Sequence, residues 1–112
     1  MNSKFENAYN QVAQKCPPIW IMRQAGRYQE GYMAMKENWT FEQMCKLPRI
    51  AAQVAMLPIN QFDFDIAILF SDILFPIEGL GVPLKFDPGP KFEWNINEEN
   101  YKDHSNIELA VK

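Results

Sequence analysis

Two short apolar runs, each broken off by charge, constrain this chain more than any other feature. The first is Ile19-Trp20-Ile21-Met22 and the second is Ile66-Ala67-Ile68-Leu69-Phe70. Both are too short for a stable helix and about right for a strand buried in a parallel sheet. Between them lies a helical pattern. Pro48 suits a first helical turn, and Leu47, Ile50, Ala51, Val54 and Leu57 form one stripe with Arg49 and Gln53 opposite. Pro58 kinks or ends that helix. Strand, helix, strand within about fifty residues reads as a βαβ unit with parallel strands and a right-handed crossover.

Both polar breaks then fall at the C-terminal ends of parallel strands, where α/β folds place their sites. After the first run, Arg23 and Arg27 bracket Gln24, Ala25 and Gly26. Guanidiniums bind carboxylates through two parallel hydrogen bonds, and Gly26 lets the backbone turn sharply or approach a ligand closely. The pattern reads as the floor and rim of an anion pocket. Two solvated arginines on a surface turn would give the same letters. After the second run comes Ser71-Asp72. The Asp72 carboxylate either faces the same cavity as the arginines or caps a helix at a strand-to-helix junction.

Composition narrows the classes. Hydrophobic residues make up 47%, which excludes a disordered segment. A net charge of −3 and a pI near 5.1 argue against a general nucleic-acid binder. No apolar run approaches the ~18 residues of a membrane span, and the first fifteen residues hold no apolar core of a signal peptide. Cys16 and Cys45 lack metal-ligand spacing and read as free thiols in a reducing compartment.

The remaining stretches carry structure rather than chemistry. Ser3 and Glu6 have capping-box spacing, and Phe5, Ala8, Tyr9 and Val12 give a short helix one apolar stripe, stopped by Pro17-Pro18. Gln29 to Glu37 reads as a loop or broken helix. Thr40 to Gln43 is a second capping box, opening a helix to about Lys46. Glu78 to Gly81 is a Gly-rich turn without a phosphate-loop pattern. Val82 to Phe86 and Lys91 to Trp94 predict a hairpin-like excursion around Asp87-Pro88-Gly89-Pro90. His104 lies in a polar turn and reads as solvated. Ser105 and Glu108 form a third capping box, starting a helix through Val111. Two βα units cannot close a sheet. The expectation is a piece of a larger protein, or a chain that completes its core against a partner.

Pro18-Ile19-Trp20-Ile21-Met22-Arg23-Gln24-Ala25-Gly26-Arg27-Tyr28 resembles the N-terminal signature of the uroporphyrinogen decarboxylase family. Ala67 to Leu74, followed by Pro76-Ile77-Glu78-Gly79-Leu80-Gly81, resembles that family's second signature, in the same order and at a similar separation. The resemblance implies an α/β fold in which residues 1–112 are the N-terminal segment of a single (β/α)₈ TIM barrel, incomplete in this chain. It also implies a homodimer in the cytoplasm and a role in haem biosynthesis. The implied reaction removes the carboxyl groups of four acetate side chains of uroporphyrinogen III, giving coproporphyrinogen III, with no cofactor and no metal. The 112 residues alone are expected to be inactive.

The resemblance also assigns residues. Arg23, Gln24, Ala25, Gly26 and Arg27 would contact the substrate, which carries eight carboxylates. Asp72 would face the pyrrole N–H groups and stabilise the cation formed when the ring is protonated before carbon dioxide leaves, and Arg23 would engage the departing carboxylate. Asp72 and Arg23 are thus the catalytic pair, with Asp72 also a binding residue. One departure stands out. Where the family continues Leu-Pro-Glu after Arg-Tyr, this chain has Gln29-Glu30-Gly31, and loss of the proline should loosen the loop. The family's later tyrosine, hydroxyl residue and C-terminal histidine have no counterpart, and His104 does not match that histidine. Two other readings remain. One is a zinc- and cobalamin-dependent methyltransferase of the same superfamily, which the two arginines and the lack of a His/Cys cluster disfavour. The other is a non-catalytic, truncated binding module.

Overall fold

In chain order the elements are α1 (Ser3–Tyr9), α2 (Glu30–Asn38), α3 (Phe41–Lys46), α4 (Pro48–Phe62), α5 (Phe75–Gly79), β1 (Leu84–Phe86), β2 (Pro90–Phe92) and a 3₁₀ turn (Tyr101–His104). The computed structural model describes residues 3–22, 25–95 and 97–104. They fall into two units, residues 1–71 and 72–112. The helix expected from Ser105 lies outside the described residues.

In the first unit, α4 carries the core. Leu47 is its N-cap and Pro48 its first residue, where a missing N–H loses nothing. Ala51, Val54, Ala55 and Pro58 are its buried face, and Ile50 and Leu57 pack alongside. Pro58 does not end the helix. The chain continues to Phe62 and stops at Asp63, whose left-handed backbone (φ 54°) closes the last turn by donating to the Ile59 carbonyl at 2.9 Å. The apolar stripe outweighs the one backbone bond the proline removes.

Helix α3 begins as the sequence predicts. Thr40 Oγ1 accepts from the Gln43 N–H (3.2 Å), and Gln43 Oε1 accepts from the Thr40 N–H (2.9 Å). Its Met44 is fully buried against Val54 and Tyr32, with Trp39, Met35 and Phe70 around them.

The stretch expected to be a loop or broken helix is α2. Its periodicity is weak because Tyr32 alone is buried, so one aromatic does the work of a stripe. Gly31 lets α2 lie close to α4, since a Cβ there would stand 3.0 Å from Leu57 Cδ2. Helix α1 departs from expectation at both ends. It starts at Ser3 itself, and it stops before Pro17-Pro18 at a Schellman closure. In that closure Gln11 takes φ 57° and donates to Ala8, while Val12 donates to Asn7. Val12 therefore lies outside the helix, and no residue of α1 is buried.

The two expected buried strands are not strands. Residues 19–22 and 66–70 form no ladder, and Ile21 (53% exposed), Met22 (72%) and Leu69 (69%) face outward. A parallel pair without further strands is marginal, and residues meant for burial on both faces need layers on both sides. What survives is their starting point. The Asp65 N–H donates to the Ile19 carbonyl (3.1 Å), and Asp65 Oδ2 accepts from the Ile19 N–H (2.9 Å). The same carboxylate, 6% exposed, pairs with Lys4 at 3.1 Å.

The second unit contains the expected hairpin. Strands β1 and β2 are antiparallel, with Leu84 opposite Phe92, Lys85 opposite Lys91 and Phe86 opposite Pro90. Two lysines face each other there, and each has an acid within reach: Lys85 with Glu93 (3.5 Å) and Lys91 with Asp87 (3.4 Å). Val82 and Leu84 are buried, and Phe75 of α5 meets Phe86 edge-on. The predicted Gly-rich turn closes α5, with Gly81 at φ 93°.

Two stability outcomes follow. Met44→Ala should lose about 2–5 kcal/mol in urea unfolding, and exposed Met33→Ala less than about 0.5 kcal/mol. Asp65→Ala, which leaves the Ile19 N–H without its acceptor, should lose about 1–3 kcal/mol, whereas Lys4→Ala, half exposed, should lose under about 1 kcal/mol.

Candidate functional site

Segments 19–28 and 66–71 meet on one cleft of the first unit. Its lining comprises Trp20 and Ala25 from the first, Ile68, Leu69, Phe70 and Ser71 from the second, and Ala55 and Pro58 of α4 as floor. The volume is about 130 Å³, below the roughly 300–1,000 Å³ of complete small-molecule pockets. A larger groove of about 580 Å³ lies over Met35, Gln53, Met56 and Leu57, but neither motif contributes to it.

Each predicted residue has a definite status. Arg23 and Gln24 lie outside the described residues. Ala25 is half-buried and packs against the Tyr32–Met44–Val54 core, so it ties the arginine loop to the hydrophobic interior. Gly26 opens a turn that Gln29 closes by donating its backbone N–H to the Gly26 carbonyl at 3.0 Å. Arg27 and Tyr28 occupy the corner, both exposed. The turn does not require glycine, since a Cβ on residue 26 would meet only the Tyr28 ring at an ordinary 3.6 Å. A turn forms at Gly26 as expected, but its geometry would admit a side chain.

Asp72 belongs to the second unit and is half-buried. Its Oδ1 accepts the Leu74 N–H at 2.8 Å, an Asx turn leading into α5. The capping alternative is thus partly realised, although Leu74 and not Asp72 is the N-cap. Oδ2 makes no hydrogen bond to another described residue.

Two buried residues of this region, Tyr32 and Gln29, join the arginine-bearing turn and α2 to the rest of the unit. Tyr32 meets Phe70 edge-on (centroids 5.7 Å apart), joining α2 to the end of the second apolar run. Burial pushes the Tyr32 hydroxyl above the usual phenol range, Cys45 adds to the push, and the Arg27 guanidinium draws it back. Gln29 is buried and bonds across to α4. No short-range signal marks that partner, which lies 32 residues away. Cys16 is exposed and Cys45 half-buried, both free thiols as expected. No helix is long and apolar enough to cross a membrane, and among the described residues no three His, Cys, Asp or Glu side chains gather as a metal would need.

The described residues form a mixed α/β chain of helices and one small hairpin, with Ala25, two residues before Arg27, lining a cleft. The chain matches the family described as "Uroporphyrinogen decarboxylase (URO-D)" over residues 1–111 and belongs to that family. Proteins named uroporphyrinogen decarboxylase from Pelobacter propionicus and Geobacter sulfurreducens are each 48% identical to it over 93 residues, which is 83% of this chain and 27% of theirs. One from Geotalea uraniireducens is 46% identical over 96 residues, 86% of this chain and 28% of its own. The chain thus spans about a quarter of the length of these relatives.

The Tyr32 environment sets a pH dependence. An acid whose proton is held more tightly in the fold supports stability below the unfolded phenol value of 10.0 and loses that support as pH rises through the higher folded value. Tyr32→Phe should flatten the fall of stability above pH about 10, read from urea midpoints across that range.

Proposed function

We propose that this chain supplies part of the substrate site of a uroporphyrinogen decarboxylase, acting on the acetate side chains of uroporphyrinogen III to give coproporphyrinogen III. The observation that carries the reading is the shared cleft: Ala25 of the first signature and Phe70 and Ser71 of the second line one wall of mixed polarity. A tetrapyrrole is a large apolar ring fringed with carboxylates. It calls for apolar contacts with cations at the rim, and the corner position of Arg27 suits that rim.

In this reading residues 1–112 are the N-terminal segment of a (β/α)₈ barrel. The exposed runs 19–22 and 66–70 become two of its strands once further strands and helices cover them. Residues Arg23 to Arg27 bind substrate carboxylates, and Arg23 takes the one that leaves. Asp72 accepts the pyrrole N–H groups. Loss of carbon dioxide leaves an electron pair on carbon, which the ring accepts only after protonation. A fixed carboxylate beside the resulting cation lowers the barrier as an oxyanion hole does, with signs reversed. The enzyme works without cofactor or metal, as a cytoplasmic homodimer, and the 112 residues alone do not turn over.

The test is a chimera in which this chain replaces the matching stretch of the Geobacter sulfurreducens relative. Asp72→Asn in that chimera should lower uroporphyrinogen decarboxylation by about 10²–10³ in rate while uroporphyrin binding changes far less. A rate near that of the unaltered chimera would end the assignment.

A further inference from the structure

Gln29 is 2% exposed, yet its side chain is only half satisfied. Its Nε2 donates to Gln61 Oε1 at 2.8 Å, while its own Oε1, buried, accepts from no described residue. An apolar side chain would fill such a position with less desolvation, so a half-paired amide there calls for an explanation. Its neighbours supply one. The backbone N–H of Gln29 closes the turn that presents Arg27, and its carbonyl accepts the Met33 N–H at the start of α2. Beside it, the Tyr28 ring lies against Phe62, with centroids 6.3 Å apart. Gln61 and Phe62 are the last two residues of α4. Both residues that follow Arg27 are therefore seated on the final turn of one helix, by an amide pair and an aromatic pair. Arg27 projects from the corner between that seat and Gly26.

We propose that the Gln29–Gln61 amide pair is a positioning device that seats the 26–29 turn on the end of α4 and so aims Arg27 at a carboxylate. This rests on the reading of Arg27 as a carboxylate-binding residue. The pair touches no ligand itself and acts only through the backbone of the turn. A freely hinged guanidinium loses orientational freedom on binding, whereas a pre-aimed one does not.

Gln61 is exposed, so Gln61→Ala removes the pair without opening the core. The probe is uroporphyrin I, a fluorescent porphyrin with eight carboxylates, titrated into the chimera that carries this chain in place of the matching stretch of the Geobacter sulfurreducens relative. Arg27→Ala should weaken binding. Gln61→Ala should weaken it about three- to tenfold, and the double variant should be no weaker than Arg27→Ala alone. Amide exchange at Gln29 should accelerate in Gln61→Ala. Glu30→Pro, which stiffens the first residue of α2 where an N–H is not needed, should restore affinity to Gln61→Ala. The proposal is overturned by a Gln61→Ala penalty that is equal with and without Arg27, by unchanged exchange at Gln29, or by failure of the proline to restore binding. Equal affinity of the unaltered and Arg27→Ala chimeras overturns the reading of Arg27 itself, and the positioning role goes with it.

Discussion

The arrangement of the first unit depends on one buried carboxylate. Asp65 exchanges two hydrogen bonds with Ile19, one through its side chain and one through its backbone, and holds Lys4 as well. This fixes the starts of the two apolar runs side by side, although no ladder forms between them. Trp20 and Ala25 line the same cleft as Phe70 and Ser71. A charge this buried is stable only because its acceptors are filled, and a lone carboxylate there would be strongly unfavourable.

What the sequence made legible was whatever closes over a few residues. The Thr40–Gln43 box has both halves within four positions, and it opens α3 as read. The stripe of α4 was legible because 3.6-residue periodicity is local, and the hairpin because Asp87-Pro88-Gly89-Pro90 punctuates it. Interactions without a local partner escaped. Helix α2 is held by Tyr32 against residues of α3, α4 and the 66–70 run, and its own letters show little more than mixed polarity. The end of α1 at Gln11 escaped because glutamine is not a residue that announces a left-handed position. The apolar runs were expected to be buried strands and are neither strands nor buried, because burial is a property of what surrounds a segment. Residues 1–71 do not provide both layers.

The candidate site divides along the same line. The turn carrying Arg27 closes within three residues, and the turn holding Asp72 closes within two. Each closes through a short-range hydrogen bond, and the Arg27 turn is in addition joined to α4 by the Gln29–Gln61 pair. The cleft between Trp20 and Ser71 is different, because it exists only where residues nearly fifty positions apart converge. The polar groups of the proposed reaction were therefore readable as motifs, while the cleft of the first unit was not.

This division has a consequence for how such a site works. A carboxylate fixed through one oxygen to the main chain keeps its other oxygen aimed, and preorganised acceptors of that kind need no rearrangement as charge develops. The Asx turn at Asp72 is thus compatible with the capping role and with the proposed catalytic one, because they use different oxygens of one group. Arg27 follows the same logic by another route, with its backbone held and its side chain exposed. An ion pair at the solvent edge competes with water and contributes little unless its geometry is well held. Locally closed turns meet that demand at positions where the apolar runs, still open to solvent, have no rigid sheet to offer.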